Sequence, residues 1–381
     1  MSFLESYRLE LETLGPIHVG TGEAFPAYSY LVDEAKKEAL ILDAGRLLEL
    51  LSPEQQQNYL QAVAQGPKQA QKSLQSLWGG GLVDPTPAIV RRLPATPAFI
   101  NTVKNATDAA GLEFRPLPRS PLGAYLPGSS LKGALRTAWL YYQIASKTKD
   151  ILYKQEKWQF GEEVEEGLAP LIEFPQRVNP SIGQNFEKFI LGHKETYDDP
   201  LRALRVSDSG PLPTRLERIG VFHPKKSTEG MVVLGEVIPE NTSITLTLRY
   251  HRGLSQNWNG RRGVSASIPP DELAEACRVF YQEVGHTELD YARQNGLSTA
   301  ETLYAELEQR LRGNRKAFPL RLGFGSGKLA LTLALLEGRF DRKSRQLEPA
   351  DNNPKTRKTA GAISPKDGFP LGWAIARLES Y

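Results

Sequence analysis

The stretch "YLPGSSLKGALRTAWLYY" at residues 125–142 carries the strongest local structural signal in the chain. A break at Pro127–Gly128 is followed at once by apolar residues at the spacing of one helix face. The pattern predicts a helix from about Ser129 to Lys147, with Ser129 and Ser130 as its N-cap residues.

The first two turns of this helix also carry positive charge. Lys132 and Arg136 are four residues apart, which places them on one face, and we expect that face to be exposed. Free backbone N–H groups and the positive end of the helix dipole add to the same field, so the stretch suits a phosphate group. The alternative is an ordinary capped helix whose two basic side chains are only solvated.

Composition limits the class of protein. The 381 residues are 40% hydrophobic, which is enough for two or three domains with real cores. Cys277 is the single cysteine and the five histidines show no metal-binding spacing, so the sequence predicts no disulfide, no metal site and no cofactor. No uncharged run is long enough to span a bilayer, and no signal-peptide pattern opens the chain. We therefore expect a cytoplasmic protein with no membrane partner.

Charge is unevenly distributed along the chain. The net charge is only +3, but residues 310–381 contain 15 Lys and Arg against 6 Asp and Glu, which leaves 32 against 38 before them. Within residues 310–345, ten basic residues are interleaved with Phe318, Phe324 and Phe340. Such a segment attracts polyanions, and its aromatic rings could stack on bases. The alternative is a solvated basic surface with phenylalanines in the core.

Strands and helices are mixed without a regular alternation. Strand patterns open the chain at residues 7–11 and close it at residues 369–380, and hairpins are predicted at residues 27–43 and 231–250. Helices are predicted over about 271–285 and 298–312, the second with a capping box of Ser298 and Glu301. This mixture indicates an α+β protein with antiparallel sheets. Two domains fit best, residues 1–200 and 201–381, with the boundary somewhere within 148–201.

A second glycine-rich site, "GFGSGK" at residues 323–328, lies between a predicted strand and a predicted apolar helix. It departs from the P-loop, because Leu329 replaces the hydroxyl residue that would hold Mg²⁺. Gly323, Gly325 and Gly327 lack Cβ atoms, so a sugar-phosphate chain could approach closely, with Lys328 as the adjacent cation. The alternative is a tight turn that packs a helix onto a sheet.

Four motifs together carry a family resemblance. "IHVGTGE", "YLPGSSLKGALR", "LRVSD" and "RLGFGSGK", in that order, resemble the RAMP superfamily of CRISPR effector proteins. The ending "PLGWAIARLE" and the segment "AYSYLVDEAKKEALILD" are similar to the subunit that caps the crRNA 3′ end in type III-A complexes. The likeness covers most of residues 7–379.

The resemblance implies two ferredoxin-like (RRM-like) domains with helical insertions, the second of which carries the glycine-rich loop. It implies a non-catalytic crRNA-binding role near the crRNA 3′ end, in support of crRNA maturation and antiviral defence. The implied partners are crRNA, target RNA, the other RAMP backbone subunits and recruited host nucleases. The residues that this likeness assigns to RNA binding are His18, Gly128, Ser129, Ser130, Lys132, Arg136, Gly323, Gly325, Gly327 and Lys328.

Two residues keep an enzymatic alternative open. In the related backbone subunit an aspartate in an early loop cuts target RNA, and Asp33 has a similar position, although Glu34 and two lysines follow it here. His18 could serve instead as the general base of a RAMP-type crRNA-processing ribonuclease. An aspartate without a visible metal partner is more often a turn residue, and a histidine among apolar neighbours is often part of the core. A nucleic-acid-binding module outside CRISPR is the third alternative.

Overall fold

A computed structural model gives the fold. It describes residues 4–106, 112–147, 158–159, 191, 196–225, 231–255, 267–333, 335, 338–341, 346–349 and 354–380. Most of the predicted boundary window, 148–201, lies outside the described residues.

The described residues contain helices and strands in alternating groups. The helices are α1 Ala44–Glu49, α2 Pro53–Ala64, α3 Pro67–Gly79, α4 Pro97–Asn105, α5 Gly128–Lys147, α6 Arg252–Ser255, α7 Pro270–Asn295, α8 Ser298–Leu311 and α9 Gly327–Leu331. The strands are β1 Leu4–Thr13, β2 Tyr30–Asp33, β3 Glu38–Leu42, β4 Ile89–Pro94, β5 Phe114–Arg115, β6 Arg119–Ser120, β7 Gly123–Ala124, β8 Trp158–Gln159, β9 Leu204–Val206, β10 Arg215–Phe222, β11 Val233–Val237, β12 Ser243–His251, β13 Ala317–Arg321, β14 Gly338–Asp341, β15 Gln346–Pro349, β16 Arg357–Ala360, β17 Phe369–Pro370 and β18 Trp373–Ser380.

The first large sheet has the order β13-β18-β1-β12-β9, with antiparallel neighbours throughout. Strands β1 and β12 alternate because one face is covered: Leu9 and Leu11 are buried, as are Ile244, Leu246 and Leu248. Helices α5, α7 and α8 contribute buried apolar residues to the same core. The predicted opening and closing strands are confirmed, and they pair with each other.

Strands β1, β9, β12 and β18 with helices α5 and α7 follow the order β-α-β-β-α-β along the chain. This is the ferredoxin-like arrangement. The predicted helix of the opening motif is confirmed as α5, although it begins at Gly128. The α+β class with antiparallel sheets is confirmed as well.

The second large sheet has the order β17-β16-β10-β11-β5, with only β5 parallel to its neighbour. Here the prediction of a hairpin at residues 231–250 is wrong, because β11 belongs to this sheet and β12 to the first. Residues Ile238–Thr242 do not reverse the chain within one sheet. They pair instead with Thr13–Ile17, the segment that follows β1. These two paired segments run side by side from one sheet to the other.

The early hairpin is confirmed as β2 and β3, with the turn at residues 34–37 as predicted. Strand β4 completes this small sheet. Helices α2 and α3 pack on one side of it and helix α4 on the other, each side with its own apolar cluster.

The remaining local predictions have mixed outcomes. Helix α8 begins at Ser298, but Leu297 is its N-cap and makes no side-chain cap, so the predicted capping box is wrong; Glu301 pairs with Arg293 instead. The domain division at residue 200 stays a prediction. Each large sheet takes strands from both sides of that position.

Candidate nucleic-acid interface

The start of helix α5 is occupied by a carboxylate of the protein itself. Asp208, from the "LRVSD" motif, accepts a 2.8 Å hydrogen bond from the backbone N–H of Gly128. A Cβ atom at Gly128 would lie 2.4 Å from the carbonyl oxygens of Val206 and Ser207, so only glycine fits. The two motifs that the sequence shows separately therefore meet, and Asp208 supplies the anion that the helix dipole favours.

Lys132 and Arg136 are partly buried rather than fully exposed. Lys132 donates through Nζ to the carbonyl oxygen of Leu204 at 2.9 Å, and burial lowers the pKa of Lys132. Arg136 forms a 2.8 Å ion pair with Asp199. Both side chains thus hold residues 199–204 against α5, and their contact with RNA stays a prediction.

The other residues of the same motif lie closer to solvent. Ser129 is exposed and Ser130 half-buried in the first turn, so neither is the N-cap. Gly133, one turn further, is also exposed, with open space around it. RNA contact at Ser129 and Ser130 stays a prediction.

The glycine-rich loop follows β13 and lies against His18. All three glycines have positive φ, but their surroundings differ. A Cβ atom at Gly323 would lie 2.2 Å from the His18 carbonyl oxygen, and one at Gly325 would lie 2.5 Å from Leu371. Around Gly327 nothing lies within 4 Å, and Lys328 beside it is exposed. Protein packing therefore accounts for two of the glycines, and open space adjoins the third.

His18 is the centre of this packing. It is 1% exposed, and its backbone oxygen accepts from the Phe324 N–H at 2.8 Å. Its Nδ1 lies 2.6 Å from the Glu236 carbonyl oxygen, which can only accept, so Nδ1 carries the proton. Nε2 has no hydrogen-bond partner among the described residues. Burial lowers the pKa of His18 and keeps the imidazole neutral.

A buried triad of ion-paired side chains contacts the glycine-rich loop through Arg321. Glu288 on α7 contacts Arg321 at 3.0 Å and Arg357 at 2.5 Å, and all three side chains are buried. Arg321 also donates to the backbone oxygens of Leu371 and Gly325. Both arginines belong to the basic segment, residues 310–381, that we expected to attract polyanions. In the structure their charges are instead paired with Glu288 inside the protein.

Sequence reasoning missed two cations beside the loop. Lys358 Nζ lies 3.8 Å from the centroid of the Phe324 ring, and Arg115 Cζ lies 5.9 Å from it. Lys358 belongs to the basic segment that the charge count singled out. Arg115 lies in a stretch with mixed pattern, where no sequence signal could have found it.

Asp33 is the last residue of β2, directly before the turn at residues 34–37. It is 7% exposed, and its carboxylate accepts from the Lys36 N–H at 3.0 Å and lies 3.7 Å from Lys36 Nζ. The neighbouring residue Glu34 lines a cavity of about 420 Å³ together with Lys68, Lys72 and Lys104, and it forms a 2.7 Å ion pair with Lys104. Nowhere in the described part of the chain do three or more His, Cys, Asp or Glu side chains form a group that could hold a metal ion.

The helices that the structure describes include none that is both long and apolar enough to cross a membrane.

Comparison with known protein families assigns the chain to a superfamily. The profile of the RAMP superfamily matches residues 10–330, and the chain belongs to that superfamily. Its sequence is similar to the CRISPR system Cms protein Csm5 of Streptococcus thermophilus, with 27% identity over 227 residues. That match covers 55% of this chain and 53% of the relative, so the chain matches about half the length of this curated relative.

Two solved structures share the fold. One is the crystal structure of T. onnurineus Csm5, with a TM-score of 0.65, 21% identity, and coverage of 96% of this chain and 99% of the other. The second is a chain in the cryo-EM structure of the Csm-crRNA-target RNA ternary complex of a type III-A CRISPR-Cas system. It has a TM-score of 0.63 and 20% identity over 98% of this chain and 100% of that chain.

Proposed function

We propose that this chain is a non-catalytic crRNA-binding subunit of a type III-A CRISPR effector complex, located near the crRNA 3′ end. The observation that carries the proposal is the superfamily match over residues 10–330, which includes the glycine-rich loop. The similarity to a Csm5 protein and the fold shared with a chain of a Csm-crRNA-target RNA complex favour this subunit. Its partners are then crRNA, target RNA, the other RAMP subunits and nucleases that trim the crRNA.

The surroundings of the two enzymatic candidates support a binding role. A general base must reach the proton that it removes, but His18 is buried and only 1% exposed. The Asp33 carboxylate is already bound by Lys36, whose backbone N–H donates to it at 3.0 Å and whose Nζ lies 3.7 Å from it.

Assembly tests the proposal. The chain is co-expressed with the other subunits of its type III-A complex and a crRNA that carries 4-thiouridine at either its 5′ or its 3′ end. We expect it to co-purify with the RAMP subunits and to crosslink to the 3′ label. Crosslinking to the 5′ label, or a complete complex without this chain, would contradict the assigned position.

The ribonuclease alternative has its own test in the same assembled complex. Asp33→Ala should leave every target-RNA cut in place, and His18→Gln should leave the processing of repeat RNA in metal-free buffer unchanged. Lys36→Ala, which alters the same turn without removing a carboxylate, is the matched control for Asp33→Ala. Loss of one specific cut in Asp33→Ala alone would make this chain a nuclease.

A further inference from the structure

Phe324 joins the glycine-rich loop to the second sheet. It packs on the sheet face with Ile219, Val233, Val237, Ala360 and Leu371, yet it remains partly exposed. The His18 ring meets it edge-on, with centroids 5.7 Å apart. The ring is therefore fixed in place at the surface, between loop and sheet.

Two cations reach this ring from strands that are not neighbours. Arg115 is on the edge strand β5 and Lys358 on β16, with β10 and β11 between them. Register places both residues on the sheet face that Phe324 covers, together with Gly235, over which Ile219 and the His18 ring pack. Their distances to the ring centroid put Lys358 Nζ and Arg115 Cζ less than about 10 Å apart, within one Debye length at 0.1 M salt.

The two charges repel each other without a compensating carboxylate. Among the described residues neither Arg115 nor Lys358 forms an ion pair, whereas Arg321 and Arg357 beside the loop both pair with Glu288. Burial and the Arg115 charge both lower the pKa of Lys358. Each cation is held by the ring, so its position is fixed before any ligand arrives. An anion between them would relieve the repulsion.

We propose that Arg115 and Lys358 form a phosphate-binding pair that contacts the phosphodiester backbone of the bound RNA independently of base identity. The inference rests on the proposed function and deepens it. Lys358 lies over the ring face of Phe324, so that face is not open for a base to stack on it. The pair therefore recognises the charge of the phosphate. The RNA backbone then crosses the loop at Phe324, and not at Gly323 or Gly325, where protein atoms fill the space.

The test uses the Arg115→Gln/Lys358→Gln double variant of the full chain within the assembled complex. Glutamine keeps the side-chain stem and removes the charge. Loss of two phosphate contacts should reduce the salt slope, d log K/d log[salt], by about 1.4 for single-stranded RNA and weaken binding about tenfold at 0.15 M salt. The melting temperature should stay within a few degrees of the wild type, because a repulsive pair is removed.

Control experiments distinguish the effect of side-chain charge, the effect of guide sequence, and the RNA strand that supplies the phosphates. Lys68→Gln/Lys72→Gln removes two exposed charges from α3 and should leave the slope unchanged. Arg115→Lys/Lys358→Arg keeps the charges and should restore most of the affinity. Two unrelated guide sequences should lose equal affinity in the Gln variant. Titration with crRNA alone and then with target RNA shows which strand supplies the phosphates.

Several results would overturn the inference. An unchanged slope in the Gln double variant means that the pair binds no phosphate, while the proposed function stands if the wild type still assembles on crRNA. A large fall in melting temperature with normal affinity of the folded fraction means that the pair is structural. Reduced assembly with partner subunits in the absence of RNA means that an acidic protein surface is the ligand. A wild type that neither binds crRNA nor assembles refutes both proposals.

Discussion

The glycine-rich loop allows a matched comparison of two alanine substitutions. Gly325 and Gly327 have φ values of +87° and +78°, so alanine meets the same left-handed backbone at both positions. That conformation costs an L-residue about 1–2 kcal/mol. The new methyl group has open space at Gly327 but lies 2.5 Å from Leu371 Cδ1 at Gly325.

The overlap should add about 1–3 kcal/mol at Gly325, as overpacked cores usually do. We therefore expect Gly325→Ala to lose about 2–5 kcal/mol of unfolding free energy and Gly327→Ala only about 1–2 kcal/mol. Urea denaturation of the two variants beside the wild type measures the difference, provided that the m-values agree.

A crRNA titration completes the comparison, because the sequence-based expectation was different. If the glycines serve close approach of a phosphate, Gly325→Ala should keep its stability and lose crRNA affinity. Equal unfolding free energies for the two variants, or that pattern of retained stability and lost binding, would refute the packing argument at Gly325.

Three further predictions concern Asp208, the ion-pair triad of Glu288 and the buried imidazole of His18. Asp208→Ala removes the carboxylate at the start of α5 and should cost about 1 kcal/mol in urea denaturation; a rise in crRNA affinity would reveal a phosphate site that Asp208 now fills. Glu288→Gln leaves Arg321 and Arg357 buried without a counter-charge and should cost about 3–5 kcal/mol; a loss below 1 kcal/mol in the same assay would contradict this. Burial lowers the pKa of His18, so the unfolded chain binds a proton first as the pH falls through about 6.5, and stability declines by up to about 1.4 kcal/mol per pH unit. His18→Gln should lack this decline, and identical pH profiles would disprove it.

Local signals identified the elements well. Alternation predicted β1 and β18, turn residues predicted the β2–β3 hairpin, and the break at Pro127–Gly128 predicted α5, because each signal arises from residues close together in the chain. The predicted hairpin at residues 231–250 failed for the converse reason. Its turn residues are real, but pairing with Thr13–Ile17 decided which sheet each arm joined.

The same division holds for the candidate site. By itself the sequence determined the α+β class, the motif order that resembles the superfamily, and the positions of the glycine loop and of His18. Only the tertiary structure decided what those residues contact: Asp208 at the start of α5, Leu371 against Gly325, and the cation pair around Phe324. A sequence pattern reports the periodicity of one segment, whereas packing and charge interactions act between segments that are distant along the chain. Arg115 and Lys358 therefore become partners only once the second sheet has formed.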